Sequence, residues 1–352
     1  MDAFEEKYLL SRRDYGLLYP YIVDEEVTDI NWNGRQLWID HLKKGRYMAI
    51  EVLSEEFVDR FSTLLASIVS IPFNKMNPVL EAETEELRIS IVHTSVAHTG
   101  ITISMRKVPA VRRLETNEMT QNGYCEEAVG IFLKNCILAH CNIAICGMPG
   151  AGKTELLKFL TKYIPARERV ITIEDTLEIH YQRINPDKDC VEMKVAERFS
   201  YTDAIKACLR QLPKWIILSE ARSKEVRYLL ESLSTGTYGL TTLHTDDVRN
   251  IPDRIQNMAG GSLDSERIMN DTYSFLQIGV LVKSNVGKGG KISRWIEQIG
   301  VFERTSIDLS HSKNQVFMLV EGGKLIETDL PPHLGKRFEE VGIHSAFGSR
   351  EV

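Results

Sequence analysis

The 352-residue sequence has little that would mark export, a membrane span or a disulfide scaffold. Its opening, MDAFEEKYLLSRRDYG, places acids where a secretion signal carries basic residues and lacks an apolar stretch, so export is not expected. The longest uncharged stretch, 135–152, contains His140, Asn142, Pro149 and three glycines, which a bilayer would not accept as a helix. Six cysteines, at 125, 136, 141, 146, 190 and 208, form no C-x-x-C pair. That excludes a zinc ribbon and a thioredoxin-like redox motif, and they read as reduced, mostly buried thiols. No large excess of either charge is present: 43 Lys+Arg oppose 49 Asp+Glu, a net charge of -6. A globally basic nucleic-acid binder is thereby excluded, although a local basic groove is not. What remains is ordinary globular composition, 43% hydrophobic and 26% charged, at a length that suggests about two domains. A cytoplasmic protein is expected.

Residues 1–105 read as a small α+β domain. Phe57, Phe61, Leu64, Leu65 and Ile68 repeat at the spacing of one helix face over 54–71. Short strands are expected at 29–32, at 36–40 after the Asn33-Gly34 turn, at 87–92 and at 100–105. Residues 106–124, with Pro109, Arg112, Arg113, Asn117 and Asn122, have little apolar periodicity and suit a linker. From Cys125 to the end the texture changes. Apolar runs at 142–146, 169–173, 215–219 and 240–243 alternate with helix-period segments at 153–163, 201–211, 223–234 and 247–258. This alternation predicts an α/β domain with a parallel-rich sheet covered by helices. In the tail, strand-like runs at 275–282 and 296–302 flank a Gly-rich turn at 287–290.

The strongest chemical signal is Gly147-Met148-Pro149-Gly150-Ala151-Gly152-Lys153-Thr154, which fits G-x-x-x-x-G-K-[ST] between an apolar strand and a helix. Its glycines let backbone N–H groups curl around phosphate oxygens, Lys153 neutralises the β- and γ-phosphates, and the Thr154 hydroxyl ligates Mg²⁺. A nucleoside triphosphate site is the expectation, with ATP and Mg²⁺ as its ligands and Glu155 at its edge. Two later strands end in acids: ITIEDTLE brings Glu174, Asp175 and Glu178, and WIILSEAR brings Glu220 and Arg222. Carboxylates placed there hold Mg²⁺ through water, as Glu220 would, or orient an attacking water, and an arginine meets charge on the γ-phosphate. The bland alternative is caps and solvated turns. A fourth strand ends in His244; a lone histidine in an apolar run is more often a packed core residue, and periodicity does not decide between that and a site role. Guanine selection would need N/T-K-x-D, and Thr161-Lys162-Tyr163-Ile164 lacks the aspartate.

The order P-loop, ITIEDTLE, WIILSEAR and STGTYGLTTLHT resembles the hexameric secretion ATPases of type II secretion, type IV and Tad pilus, and type IV secretion systems. The resemblance spans nearly the whole chain, with DINWNGRQLWID and ITISMRK in the first domain. The tail from IEQIGVFER to LPPHLGKRFEEVGI is most similar to the Tad pilus group, and the four-cysteine module of type II secretion ATPases is missing. Departures are Leu212-Pro213-Lys214 in place of Arg-Pro-Asp, Ser219 in place of Gly, Thr237 in place of a first histidine, and Asp246 in place of Asn. The resemblance implies a RecA-like ATPase domain behind the N-terminal domain and catalytic roles for Glu220, Glu174, Glu178, His244 and Arg222. It further implies that Arg106 reaches across to the nucleotide. The implied partners are five further copies of the chain and an inner-membrane platform, with no direct nucleic acid and a peripheral place on the inner membrane face. A conjugative type IV secretion ATPase and a nucleotide-sensing adaptor that does not hydrolyse are the alternatives.

Overall fold

The computed structural model describes residues 8–260, 265–287, 292–306 and 312–348. Their contacts group into two compact units, Met1–Ala110 with Asn285–Ser293, and Val111–Ser284 with Arg294–Val352.

The first unit is built on an antiparallel sheet of β1 (Val27–Trp32), β2 (Leu37–His41), β3 (Gly45–Met48), β4 (Val79–Glu83), β5 (Leu87–Val92) and β6 (Thr102–Lys107), in the order β3-β2-β1-β6-β5-β4. Alternation drives it: Leu87, Ile89 and Ile91 point into the core while their neighbours are partly solvated. The β1–β2 turn uses Gly34 at φ 90°, with the Asn33 side chain accepting from the N–H groups of Arg35 and Gln36. The helix Glu55–Val69 is capped by the Ser54 hydroxyl, which accepts from Phe57 N, and it ends at Ser70 in the left-handed region. Its Val58, Phe61 and Leu65 are buried, each contributing about 1.5–3 kcal/mol through removal from water.

Among the described residues the second unit carries nine strands: β7 (Ile143–Cys146), β8 (Val170–Glu174), β9 (Cys190–Lys194), β10 (Trp215–Leu218), β11 (Tyr238–Leu243), β12 (Ile278–Val286), β13 (Ile292–Ser306), β14 (Ser312–Glu321) and β15 (Lys324–Leu325). Their order is β15-β14-β13-β12-β7-β11-β10-β8-β9, and every pairing from β12 through β7 to β9 is parallel. Both faces are covered. Ile143, Ile145, Trp215 and Ile217 join one apolar cluster with the helices Glu127–Leu138, Lys153–Thr161 and Pro332–Glu340. The residues between them, Ala144, Cys146, Ile216 and Leu218, join the other with the helices Tyr201–Cys208, Glu225–Ser234 and Ile251–Ala259. Strands buried on both sides need continuous apolar runs, which is what these segments supply. Buried Asn142 locks the sheet at one end: its N–H donates to Gln277, its amide donates to the Phe275 carbonyl, and its Oδ1 accepts from Gly239 N. All six cysteines are unpaired, and five are buried.

The structure differs from the sequence expectations in places. Residues 106–124, expected as a linker, begin inside β6 and contain the helix Thr116–Gln121, whose Met119 joins Tyr124 in the core of the second unit. The strand expected from 275 starts at Ile278, because Phe275 closes the helix Ser265–Phe275. The turn expected at 287–290 lies, apart from Gly287, outside the described residues. No helix among the described residues is long and apolar enough to cross a membrane.

Candidate nucleotide site

Residues 147–154 leave β7 and enter the helix Lys153–Thr161. Gly147 (φ 148°), Gly150 (φ 76°) and Gly152 (φ 99°) adopt backbone conformations that side-chain-bearing residues avoid. At Gly147 a Cβ would run into the Val282 carbonyl on β12, so the loop's entry is packed backbone to backbone. At Gly150, by contrast, a Cβ would meet no described atom within 4 Å. The helix that follows presents the unbonded N–H groups and positive dipole end of its first turn, at Gly152, Lys153 and Thr154. This donor set fits phosphate, and the Thr154 hydroxyl in that turn fits a hard cation such as Mg²⁺.

Lys153 is 8% exposed, and burial pushes its ammonium below the usual lysine range, with Glu220 opposing that shift. Its Nζ donates to the carbonyls of Gly147 (3.0 Å) and Met148 (3.4 Å) and lies 3.3 Å from Nδ1 of His244. On the far side of the imidazole, Nε2 stands 2.7 Å from Oε1 of Glu220. Because Nδ1 accepts from the ammonium, the hydrogen-bond network assigns the ring hydrogen to Nε2, which donates to Glu220. The other Glu220 oxygen takes Arg222 Nη2 at 2.7 Å, and Arg222 Nη1 reaches Asp175 Oδ2 at 2.6 Å. The hydrogen bond to Glu220 leads the causes that hold the Arg222 guanidinium above its ordinary range. One polar chain thus runs Lys153, His244, Glu220, Arg222, Asp175.

Backbone contacts fix the strand exits that carry it. Ala221 N donates to the Thr242 carbonyl at 2.8 Å, the Thr242 hydroxyl donates to the Ser219 carbonyl at 2.7 Å, and Ser219 N donates to the Ile173 carbonyl at 3.1 Å. Asp175, one of the acids of ITIEDTLE, is the partner of Arg222 that single-residue reasoning had left without a role.

Glu174 stands apart from this chain. It is fully buried at the end of β8; its Oε2 accepts from the N–H groups of Glu178 (2.9 Å) and Ile179 (3.0 Å), and its Oε1 has no partner among the described residues. Burial pushes its carboxyl up to about 8, against the pull of those two N–H groups. Glu178 extends its charge to both Glu174 and Lys153. Arg106 lies in the first unit on β6, where its Nε donates to Asp29 at 2.8 Å. Pro149 and Ala151 complete the loop, Ala151 N donating to the Met148 carbonyl.

Sequence reasoning passed over a second polar group around the loop. Arg294 on β13 donates through Nε to the Gly150 carbonyl at 3.3 Å, and its stem packs where a side chain at Gly152 would stand. Arg113 Nη1 lies 4.0 Å from Glu155 Oε1, which is 3.8 Å from the buried ammonium of Lys158. Arg113 fell within the expected linker. The pairing of 113 with 155 and of 150 with 294 is tertiary, so no local pattern announces it.

Comparison with known proteins places the chain. The family model described as Type II/IV secretion system protein matches residues 74–272, more than half of the chain. An uncharacterised protein of Bacillus anthracis is 29% identical over 340 residues, covering 90% of this chain and 77% of that protein. The type IV secretion system protein VirB11 of Brucella suis is 26% identical over 338 residues, covering 84% of this chain and 92% of its own. The pilus retraction motor PilT, solved with bound ADP, has the same fold at a TM-score of 0.59 and 19% identity, with 83% of each chain covered. The architecture is therefore an N-terminal α+β domain followed by a RecA-like α/β domain. The chain belongs to the type II/IV secretion system protein family, the superfamily of secretion and pilus ATPases.

Proposed function

We propose that this protein hydrolyses ATP as a ring of six copies and drives pilus assembly or secretion through an inner-membrane platform, while sitting peripherally on the cytoplasmic membrane face. The observation that carries the reading is the unbroken polar chain from the phosphate-loop Lys153 through His244 to Glu220 and Arg222. Mg²⁺, held by the Thr154 hydroxyl and through water by Glu220, would supply neutralisation of phosphate charge. Everything else is done by the protein.

Lys153 has two neutral carbonyl partners to exchange for anionic phosphate oxygens, which bind an ammonium more strongly. Once it turns away, Nδ1 of His244 loses its donor. That nitrogen is left facing the Gly147 carbonyl at 3.1 Å, while Nε2 keeps its hydrogen on the stronger acceptor, the Glu220 carboxylate. Glu220 Oε1 has a lone pair beyond the one that accepts from His244, and through it the carboxylate orients water and takes its proton. Arg222 stays on the other oxygen, because a charged hydrogen bond is costlier to break than a neutral one. Glu174 is a second candidate for the acid-base role, holding a proton near neutral pH.

Two assignments within the family compete. The layout of the tail supports a Tad pilus motor; the similarity to VirB11 over 84% of the chain supports type IV secretion. Deleting the gene and scoring surface pili against transfer of DNA or protein separates them. The central test is phosphate release by the full chain with Mg²⁺ and ATP, alongside mass photometry with an ATP analogue. Turnover should fall at least about tenfold in Glu220→Gln while ADP binding persists, and six-copy particles should form with nucleotide. A wild-type chain that binds ATP without releasing phosphate is a nucleotide sensor, and monomers alone at micromolar concentration would overturn the ring.

A further inference from the structure

The second polar group, around Gly150, Gly152 and Glu155, has no part in the mechanism above. The sheet order sets it apart: Arg294 lies on β13, two strands from β7 on one side, whereas Glu220 follows β10, two strands from β7 on the other. Tyr124 is tied to β13 through its carbonyl, which accepts from Ile296 N at 2.8 Å. The residue is 5% exposed, and Glu155 and Arg294 both act electrostatically on its hydroxyl. Among the described residues, the Tyr124 hydroxyl, Arg113 Nη2 and Glu155 Oε2 are buried without a hydrogen-bond partner. Arg113 and Glu155 are ion-paired at 4.0 Å, and buried polar atoms left unpaired in this way are costly, so a polar ligand would satisfy them.

The ligand follows from the direction in which a phosphate loop reads a nucleotide. The Lys153 ammonium belongs to the β- and γ-phosphates, and it faces His244 and Glu220. The opposite flank therefore faces the α-phosphate and nucleoside. The Arg294 guanidinium is held beside the loop by its Nε bond to the Gly150 carbonyl at 3.3 Å, and its planar face can stack on a purine. A buried hydroxyl and a carboxylate oxygen complement sugar hydroxyls and the base edge. We propose that Arg294, supported by Tyr124 and Glu155, holds the nucleoside end of the bound nucleotide. The proposal rests on the nucleotide-site reading.

The test compares ADP with inorganic tripolyphosphate, which has phosphates but no nucleoside. Affinities of the full-length wild type, Arg294→Ala and Arg294→Lys are measured for both by calorimetry. ADP affinity should fall about tenfold in Arg294→Ala and recover in part in Arg294→Lys, with tripolyphosphate affinity unchanged. A parallel loss for both ligands would make Arg294 a brace for the loop and overturn the proposal, as would no loss for either. A wild type that binds neither ligand instead sinks the nucleotide site itself, a result distinct from any change on substitution.

Discussion

Glu174→Gln isolates the consequence of burying a carboxyl at the end of a parallel strand. The side chain is fully buried, accepts from two N–H groups at one oxygen and has no described partner at the other. Burial raises its carboxyl from the ordinary 4.5 to about 8, so at pH 7 the folded chain keeps a proton that the unfolded chain has released. The sign follows from linkage: the native state binds more protons between these two values, so stability is fully present below 4.5 and is lost as pH rises toward 8. Each pH unit in that window costs about 1.4 kcal/mol. By pH 7.5 the ideal cost approaches about 4 kcal/mol, and relaxation with water entry reduces it to an expected 2–3 kcal/mol or so. Glutamine preserves the shape and the accepting oxygen without titrating. In urea unfolding followed by tryptophan fluorescence, the variant and the wild type should differ by under about 1 kcal/mol at pH 5. At pH 7.5 the variant should be ahead by about 2–3 kcal/mol. An equal offset at both pH values would mean that Glu174 is not protonated in the native state. A variant less stable at pH 7.5 would mean that its charge is paired and needed.

Two further outcomes follow from the loop. Lys153→Ala removes the ammonium and should reduce ATP turnover at least about tenfold, measured as steady-state phosphate release; wild-type turnover would remove the loop from the mechanism. Gly147→Ala places a methyl group against the Val282 carbonyl at a φ of 148° and should cost about 2 kcal/mol or more, read as a lowered urea midpoint, with nucleotide affinity falling alongside.

What could be read in the sequence was whatever depends on neighbours along the chain. Strands β7, β8 and β10 are buried on both faces, and their mostly aliphatic runs are continuous and visible, with only Thr172 and Glu174 polar within β8. The phosphate loop is visible for a related reason, since its glycines answer a local backbone requirement. By contrast β9, Cys190–Lys194, is an edge strand of intermediate burial with polar residues in every other place, and it resembles a loop. The helix Glu127–Leu138 is buried on most sides, with Val129, Phe132, Leu133, Cys136 and Ile137 in the core, so it shows no polar face from which to read a period. The pairings of Arg222 with Asp175, Arg113 with Glu155 and Arg294 with Gly150 join positions 47, 42 and 144 residues apart, and only the folded sheet brings them together.

The register of the parallel strands explains why the polar chain assembles from residues so distant in sequence. Leu243 on β11 pairs with Cys146 on β7, so the next residues, His244 and Gly147, leave the sheet side by side. Leu218 on β10 pairs with Thr241, which sets Glu220, two residues on, beside the exit of β11. Ile173 pairs with Leu218 and brings Asp175 to the same edge. His244, Glu220 and Asp175 therefore lie near one another because each follows its strand by one or two residues, and Asn142 pins β7 to β11 and to the residues leading into β12 at the opposite end. A slip of one residue in any of these strands would turn its apolar side chains onto the wrong face and carry the functional residue out of line with them. The hydrophobic core and the candidate site are thus specified by the same register, and a mutation that loosens the Asn142 anchor acts on both.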